Sequence, residues 1–220
     1  MNTEENGLRI GVTMRVAEAS SYRETRDLLA RDWGKFLAAA LPSVPWMPIP
    51  NRENDVHTIV RDWGLNGFIL TGGDDWGTTP VRDRTEETIL QIAEENSFPL
   101  LGVCRGLQAM QIRSGGRLAA CPCDAHVATQ HTVRFVRPVG GSRFGDGEMT
   151  VNSFHANGIL EGELADDLEA IAISADGFIE AASHGRYPQL GVMWHPERAR
   201  AFHPTDVGLL RSLFGFKETP

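Results

Sequence analysis

Short apolar runs alternate along the first half of the chain with segments whose apolar residues recur at helical spacing. Residues 8–13, 46–49, 67–71 and 99–103 read as strands, and residues 24–41, 54–62, 83–95 and 105–113 as helices. That alternation predicts an α/β fold with a mostly parallel central sheet flanked by helices. Buried parallel strands are apolar nearly throughout, as Gly67-Phe-Ile-Leu70 and Pro99-Leu-Leu-Gly-Val103 are, and a functional site is expected at their C-terminal ends. In the second half, 132–136, 148–154, 168–174, 178–183 and 190–194 read as strands joined by short turns, which predicts a smaller antiparallel extension.

Two patterns add nothing to this outline. The glycine-rich stretch 140–148 lies between strands, precedes no helix and lacks the Lys-Ser/Thr of a phosphate loop, so it reads as a hairpin. The tetrapeptide Arg-Asp-Trp-Gly begins at Arg31 and again at Arg61, but the flanking sequences disagree and establish no internal repeat.

Composition narrows the class. With 220 residues and 41% hydrophobic content, the chain can bury one substantial core, and a single domain over 1–220 is expected. The N-terminus lacks the basic start and apolar run of a secretion signal, and no stretch approaches the roughly 18 apolar residues of a membrane helix, so a soluble, cytoplasmic protein is expected. Three cysteines in that setting argue against a disulfide framework and for reduced thiols. A net charge of −8 without any basic stripe argues against a nucleic-acid partner. Lysine occurs only at Lys35 and Lys217, a bias that carries no functional weight.

The chemistry concentrates in two places. Gly102-Val103-Cys104-Arg105-Gly106 follows an apolar strand and opens a helix, the context in which a nucleophile is held on a tight elbow with small neighbours leaving it accessible. The positive end of the helix dipole is expected to favour the Cys104 thiolate. A thiolate needs a proton carrier for its leaving group. Among seven histidines, His195 ends an apolar strand that Pro196 stops, and Glu197 lies two residues on, where a turn can bring its carboxylate back to orient the ring.

Gly102-Val-Cys-Arg-Gly-Leu-Gln108 together with His195-Pro-Glu197 resembles the paired signatures of the class I glutamine amidotransferase superfamily. The resemblance runs from the strand at Leu8 to Glu197 and includes Thr71-Gly-Gly-Asp74 and Asn152-Ser-Phe-His155. Within the superfamily the chain is similar to stand-alone γ-glutamyl hydrolases of the peptidase C26 type. Through Asp32-Trp-Gly-Lys35, Asn152-Ser-Phe-His155 and Met193-Trp-His195 it also resembles the γ-glutamyl-CDP-amidate hydrolases of capsule phosphoramidate synthesis.

The resemblance implies a flavodoxin-like amidotransferase fold and a single amidotransferase domain. It also implies hydrolysis of a γ-glutamyl amide through a Cys104 thioester, with no metal or organic cofactor. It makes the N–H groups of Gly73 and Arg105 the oxyanion hole, in keeping with a glycine ending a buried strand and an N–H directly after the nucleophile. It assigns Gln108 and the backbone around Ser153 and Phe154 to the glutamyl head group. Arg15, at the end of the first strand, could meet a phosphate or carboxylate, and His155 is expected to support a loop or the substrate. The superfamily also includes glutaminase subunits that pass ammonia to a synthetase, so a synthetase partner stays open, as do a homodimer and a non-catalytic regulatory module. Cys121, Cys123, His126 and His131 are the right residue types for zinc, but Cys-x-Cys is tighter than the usual structural spacing, so no metal site is expected.

Overall fold

The computed structural model describes residues 7–137 and 147–216. Strand β1 (Ile10–Thr13) is followed by a short hairpin of β2 (Arg15–Glu18) and β3 (Thr25–Leu28), then helix α1 (Asp32–Ala40), β4 (Trp46–Ile49), α2 (Val56–Trp63), β5 (Gly67–Leu70), α3 (Pro80–Asn96), β6 (Leu100–Val103) and α4 (Arg105–Arg113). The second half contributes β7 (Ala119–Ala120), α5 (Cys123–His126), β8 (Val127–Phe135), β9 (Glu148–Phe154), β10 (Asn157–Gly158), β11 (Leu168–Ser174), β12 (Ile179–His184), β13 (Gln189–Val192) and α6 (Pro204–Leu213).

Nine strands form one sheet in the order β4-β1-β5-β6-β13-β12-β11-β8-β9. The run β4-β1-β5-β6-β13 is parallel, and every pairing from β13 to β9 is antiparallel. The expected parallel sheet with an antiparallel extension is thus one continuous sheet. Alternate residues of each parallel strand enter opposite cores. Ile69, Leu101 and Val103 pack with Trp33, Phe36 and Leu37 of α1 and Leu209 and Leu210 of α6. Phe68, Leu70 and Leu100 pack with Val56 and Val60 of α2, Ile89 and Leu90 of α3, and Leu107 and Met110 of α4. Burial on both faces is why these strands read as unbroken apolar runs.

The predicted helix over 24–41 is shorter than expected. Its first part is β3, paired with β2 in the register Arg15↔Leu28 to Glu18↔Thr25. The Thr25 hydroxyl donates to Glu18 Oε1 at 2.5 Å, and Asp27 accepts from the Asn51 backbone N–H at 2.9 Å. These distant partners outweigh the helical spacing of the apolar residues, and α1 begins only at Asp32. Arg15 accordingly opens the hairpin instead of closing β1.

Helix α6 has no counterpart in the predicted elements. The His203 side chain caps it by accepting from Thr205 N at 3.2 Å, with Pro204 at the first helical position. Residues 140–146 of the predicted glycine-rich hairpin lie outside the described residues. Among the described residues, no helix is long and apolar enough to cross a membrane.

Candidate functional site

Neighbouring parallel strands deliver the two central side chains. Val103 of β6 pairs with Val192 of β13, so Cys104 and His195 both emerge beyond the C-terminal edge of the sheet. The backbone there is drawn together by a hydrogen bond from Cys104 N to Val192 O at 2.7 Å. Cys104 has φ 52° and ψ −101°, a strained conformation for a residue with a side chain.

The glycines at −2 and +2 explain how the elbow closes. A Cβ at Gly102 would lie 2.6 Å from the Gly106 carbonyl carbon, and one at Gly106 would lie 2.5 Å from the Leu70 carbonyl oxygen. Both contacts are with backbone, which cannot swing aside. Any side chain there would force α4 away from β5 and β6.

Cys104 is 5% exposed. Burial pushes its thiol up to about 12, against the opposing pull of the Arg105 backbone N–H and the Arg198 guanidinium. The expected resting thiolate is therefore not favoured: the helix terminus acts in the predicted direction but is outweighed by desolvation. To act as a nucleophile, such a thiol would need a base to take its proton.

His195 has the surroundings of such a base. Its Nδ1 lies 2.8 Å from Glu197 Oε1, and both side chains are buried. A carboxylate at Nδ1 holds that nitrogen's proton and leaves Nε2 to accept one. The backbone is clamped as well: His195 N donates to Asn152 Oδ1 at 2.9 Å, and Asn152 Nδ2 donates to His195 O at 2.8 Å. The ring lies against Gly72, where a Cβ would come within 2.4 Å of His195 Cε1, and the Phe154 ring meets it edge-on at 5.9 Å.

The loop Thr71-Gly72-Gly73 sits on a buried charged network. Arg82 donates through Nη2 to Thr71 O at 2.7 Å and Gly72 O at 3.2 Å, and through Nε to Glu86 Oε1 at 2.8 Å. The Arg105 side chain pairs with both Glu86 and Asp83 and stacks on Trp76 with its guanidinium carbon 4.8 Å from the ring centre. Burial lowers Arg82 to about 10 and, with Arg82 nearby, Arg105 to about 9; both remain cationic at neutral pH. With its carbonyls held from below by Arg82, the loop is fixed in orientation. Gly73 has φ 150°, and a Cβ there would lie 2.2 Å from Arg82 Nη1.

A cavity of about 320 Å³ opens over this loop, lined by Gly72, Gly73, His195, Glu197, Arg198 and Arg15 among others. Leu28 and Leu29, at the end of the unexpected hairpin, form part of its wall.

The side chains of Gln108, Ser153 and His155 are engaged with the backbone around them. The Gln108 amide donates to Asn157 O at 2.8 Å, and the Ser153 hydroxyl donates to His126 O at 2.7 Å. His155 is buried, with Nδ1 3.2 Å from Asn157 O and its other nitrogen facing His126 and Glu180. These side chains brace the loop after β9, and the loop-supporting reading of His155 fits this geometry. Phe154 is exposed and stacks beneath Arg198, whose guanidinium carbon is 4.7 Å from the ring centre. Of the four residues weighed for zinc, Cys123 is exposed and belongs to neither of two clusters, in which Cys121 and His126 gather with His155, and His126 and His131 with Glu180.

Asn152, Arg82, Asp83 and Glu86 were not singled out by sequence reasoning. Asn152 stands inside a motif recognised for other reasons. Arg82 and Glu86 are spaced i,i+4 on a helix, a pattern that ordinarily marks a solvated face. Only the fold reveals that both are fully buried.

The peptidase C26 family profile matches residues 9–197. The chain is 30% identical over 211 residues to the γ-glutamyl-CDP-amidate hydrolase of Campylobacter jejuni, covering 93% of this chain and 96% of that protein. It is 29% identical over 198 residues to the γ-glutamyl-γ-aminobutyrate hydrolase PuuD of Escherichia coli K12, covering 81% and 72% respectively. In fold it is similar to a glutamine amidotransferase from Thermotoga maritima, with a TM-score of 0.60, 12% identity, and coverage of 86% of this chain and 76% of that one. A profile match that begins before β1 and ends on the Glu197 carboxylate, joined by a relative matched along nearly its whole length, shows that the chain belongs to the peptidase C26 family within the class I glutamine amidotransferase superfamily and is a cysteine-type amide hydrolase.

Proposed function

We propose that the protein hydrolyses a γ-glutamyl amide bond through a γ-glutamyl thioester on Cys104, releasing glutamate. The observation that carries this reading is the pairing of His195 Nδ1 with Glu197 at 2.8 Å, beside an elbow whose N–H is bonded to the strand bearing that histidine. In the proposed cycle, Nε2 of His195 takes the Cys104 proton as sulfur attacks the γ-carbonyl carbon. The N–H groups of Gly73 and Arg105 receive the oxyanion, and the Arg82 network holds the Gly73 loop in place without needing to move. The imidazolium, steadied by Glu197, gives its proton to the departing nitrogen. His195 then activates a water that cleaves the thioester, releasing glutamate and restoring the thiol.

Arg15 and Arg198 on the cavity wall suit a substrate that carries anionic groups at both ends. A γ-glutamyl-linked nucleotide amidate, as in the name of the Campylobacter relative, or a γ-glutamyl amine bearing a carboxylate, as in the name of the Escherichia coli relative, meets that requirement.

Purified protein offered glutamine, γ-glutamyl amines and γ-glutamyl nucleotide amidates tests this directly by mass spectrometry. A glutamyl adduct on Cys104, absent from Cys104→Ala, and free glutamate are expected. An adduct elsewhere, or none with any donor, overturns the mechanism. Turnover of glutamine that appears only when a synthetase is added would instead identify an ammonia-donating subunit.

A further inference from the structure

Behind the strand that carries Asn152 and Phe154, the fold gathers three histidines around one buried carboxylate. Glu180 is completely buried, and neither of its oxygens receives a well-aligned hydrogen bond among the described residues, although nitrogens of His126, His131 and His155 face them at 3.3–3.6 Å. Its Oε1 lies 3.6 Å from His126 Nδ1 and 3.6 Å from His155 Nε2, and those two nitrogens are 3.4 Å apart. The three atoms therefore make a nearly equilateral triangle.

The outer nitrogens of the same rings are already engaged. His126 Nε2 lies 2.9 Å from Asp176 Oδ2, and His155 Nδ1 lies 3.2 Å from Asn157 O. A carboxylate and a carbonyl can only accept, so each takes the N–H of a neutral imidazole. The lone pair is thereby directed inward. In that tautomer two imidazole lone pairs and a carboxylate oxygen face one another at 3.4–3.6 Å. Three converging acceptors repel unless a cation sits among them.

The spacing fits a particular cation. In a tetrahedral site with metal–nitrogen and metal–oxygen bonds of about 2.0–2.1 Å, ligand atoms are separated by about 3.3–3.5 Å. The outer hydrogen bonds to Asp176 and Asn157 are the arrangement that orients metal-bound histidines. Cys121 and His131 border the triangle, with His131 Nε2 3.3 Å from the second Glu180 oxygen.

We propose that His126 Nδ1, His155 Nε2 and Glu180 Oε1 form a binding site for a divalent transition metal of the zinc class. The metal is structural: it locks the segment after β9, through His155, to β12, and so fixes the strand whose Asn152 clamps the His195 backbone. This departs from the sequence expectation of no metal, because that expectation weighed Cys123, which is exposed, and not His155 and Glu180, which lie far apart in the chain.

The test uses the full chain stripped with a chelator, exposed to Zn²⁺ or Co²⁺, and freed of excess metal by gel filtration. Elemental analysis is expected to find about one equivalent retained, with the visible absorption of four-coordinate Co²⁺. Glu180→Gln and His126→Ala should each lower retention about tenfold or more, whereas Cys104→Ser should keep it, which separates this site from the reactive thiol. Should either site variant lose its circular dichroism, wild-type stoichiometry and the cobalt spectrum decide. Wild-type protein that retains no metal overturns the proposal and leaves a protonated histidine–carboxylate network in its place. Retention lost in Cys104→Ser but kept in Glu180→Gln overturns it equally.

Discussion

Asn152 and His195 exchange two hydrogen bonds, one in each direction, between the Asn152 amide and the His195 backbone. The pair ties the last strand of the antiparallel half to the histidine at the end of the parallel half. Asn152→Ala removes both bonds and strands a backbone donor and acceptor, at a cost of about 1–3 kcal/mol. Thermal melting should report that loss. Steady-state kinetics on a γ-glutamyl amide should show kcat down about tenfold or more with KM little changed, and an unaltered kcat would remove Asn152 from the positioning of the base.

Gly72 leaves room for the His195 ring. Gly72→Ala places a methyl 2.4 Å from His195 Cε1 without invoking a left-handed backbone, so its effect falls on the ring. Turnover is expected to drop about 100-fold. Full activity in Gly72→Ala would mean that the ring works from another position.

Burial that holds the Cys104 thiol at about 12 predicts slow alkylation of the resting protein. With iodoacetamide at pH 8, peptide mapping should find the exposed Cys123 modified well before Cys104. Labelling of Cys104 should accelerate as pH rises through the alkaline range. Preferential labelling of Cys104 at neutral pH would show a thiolate at rest.

Asp206 accepts a hydrogen bond from Trp194 Nε1 at 2.9 Å, yet burial raises its carboxyl to about 6 despite that bond. The sign follows from the folded state binding the proton more tightly than the unfolded chain. Asp206 contributes stability that is fully present below the ordinary 3.8 and is lost as pH rises through about 6. That interval corresponds to roughly 3 kcal/mol. Asp206→Asn keeps an acceptor for Trp194 and does not ionise, so melting curves should show it gaining on the wild type between pH 4 and pH 7. A constant difference across that range would exclude Asp206 as the titrating group.

Glu86 serves two guanidiniums from a fully buried position. Glu86→Gln leaves Arg82 and Arg105 short of their counter-charge and should destabilise by about 3–5 kcal/mol in chemical denaturation. A change below about 1 kcal/mol would mean that Asp83 alone can balance the pair.

Much of this was legible in the sequence because the signals were local. Cys104 with its glycines, and His195 with Glu197, lie within single strand-to-turn junctions, where a few residues dictate geometry. What escaped depends on contacts across long separations. Residues 25–28 form a strand because Arg15–Glu18 offers an edge and Asn51 offers donors to Asp27. The buried roles of Arg82 and Glu86 arise only when α3 covers Thr13 and Thr71. The tetrapeptide Arg-Asp-Trp-Gly shows the same dependence: its first copy opens α1 with Trp33 buried, while its second ends α2 with Trp63 exposed and Gly64 left-handed.

The place of β13 in the sheet has a consequence for how the enzyme comes into being. This strand, which follows the other eight strands of its sheet in chain order, lies between β6 and β12 and joins them. A nascent chain that has emerged only through β12 carries the cysteine elbow but neither its base nor the strand whose carbonyl holds the elbow closed. On the proposed mechanism, the nucleophile and its base are brought together only once β13 has taken its place between the two halves of the sheet.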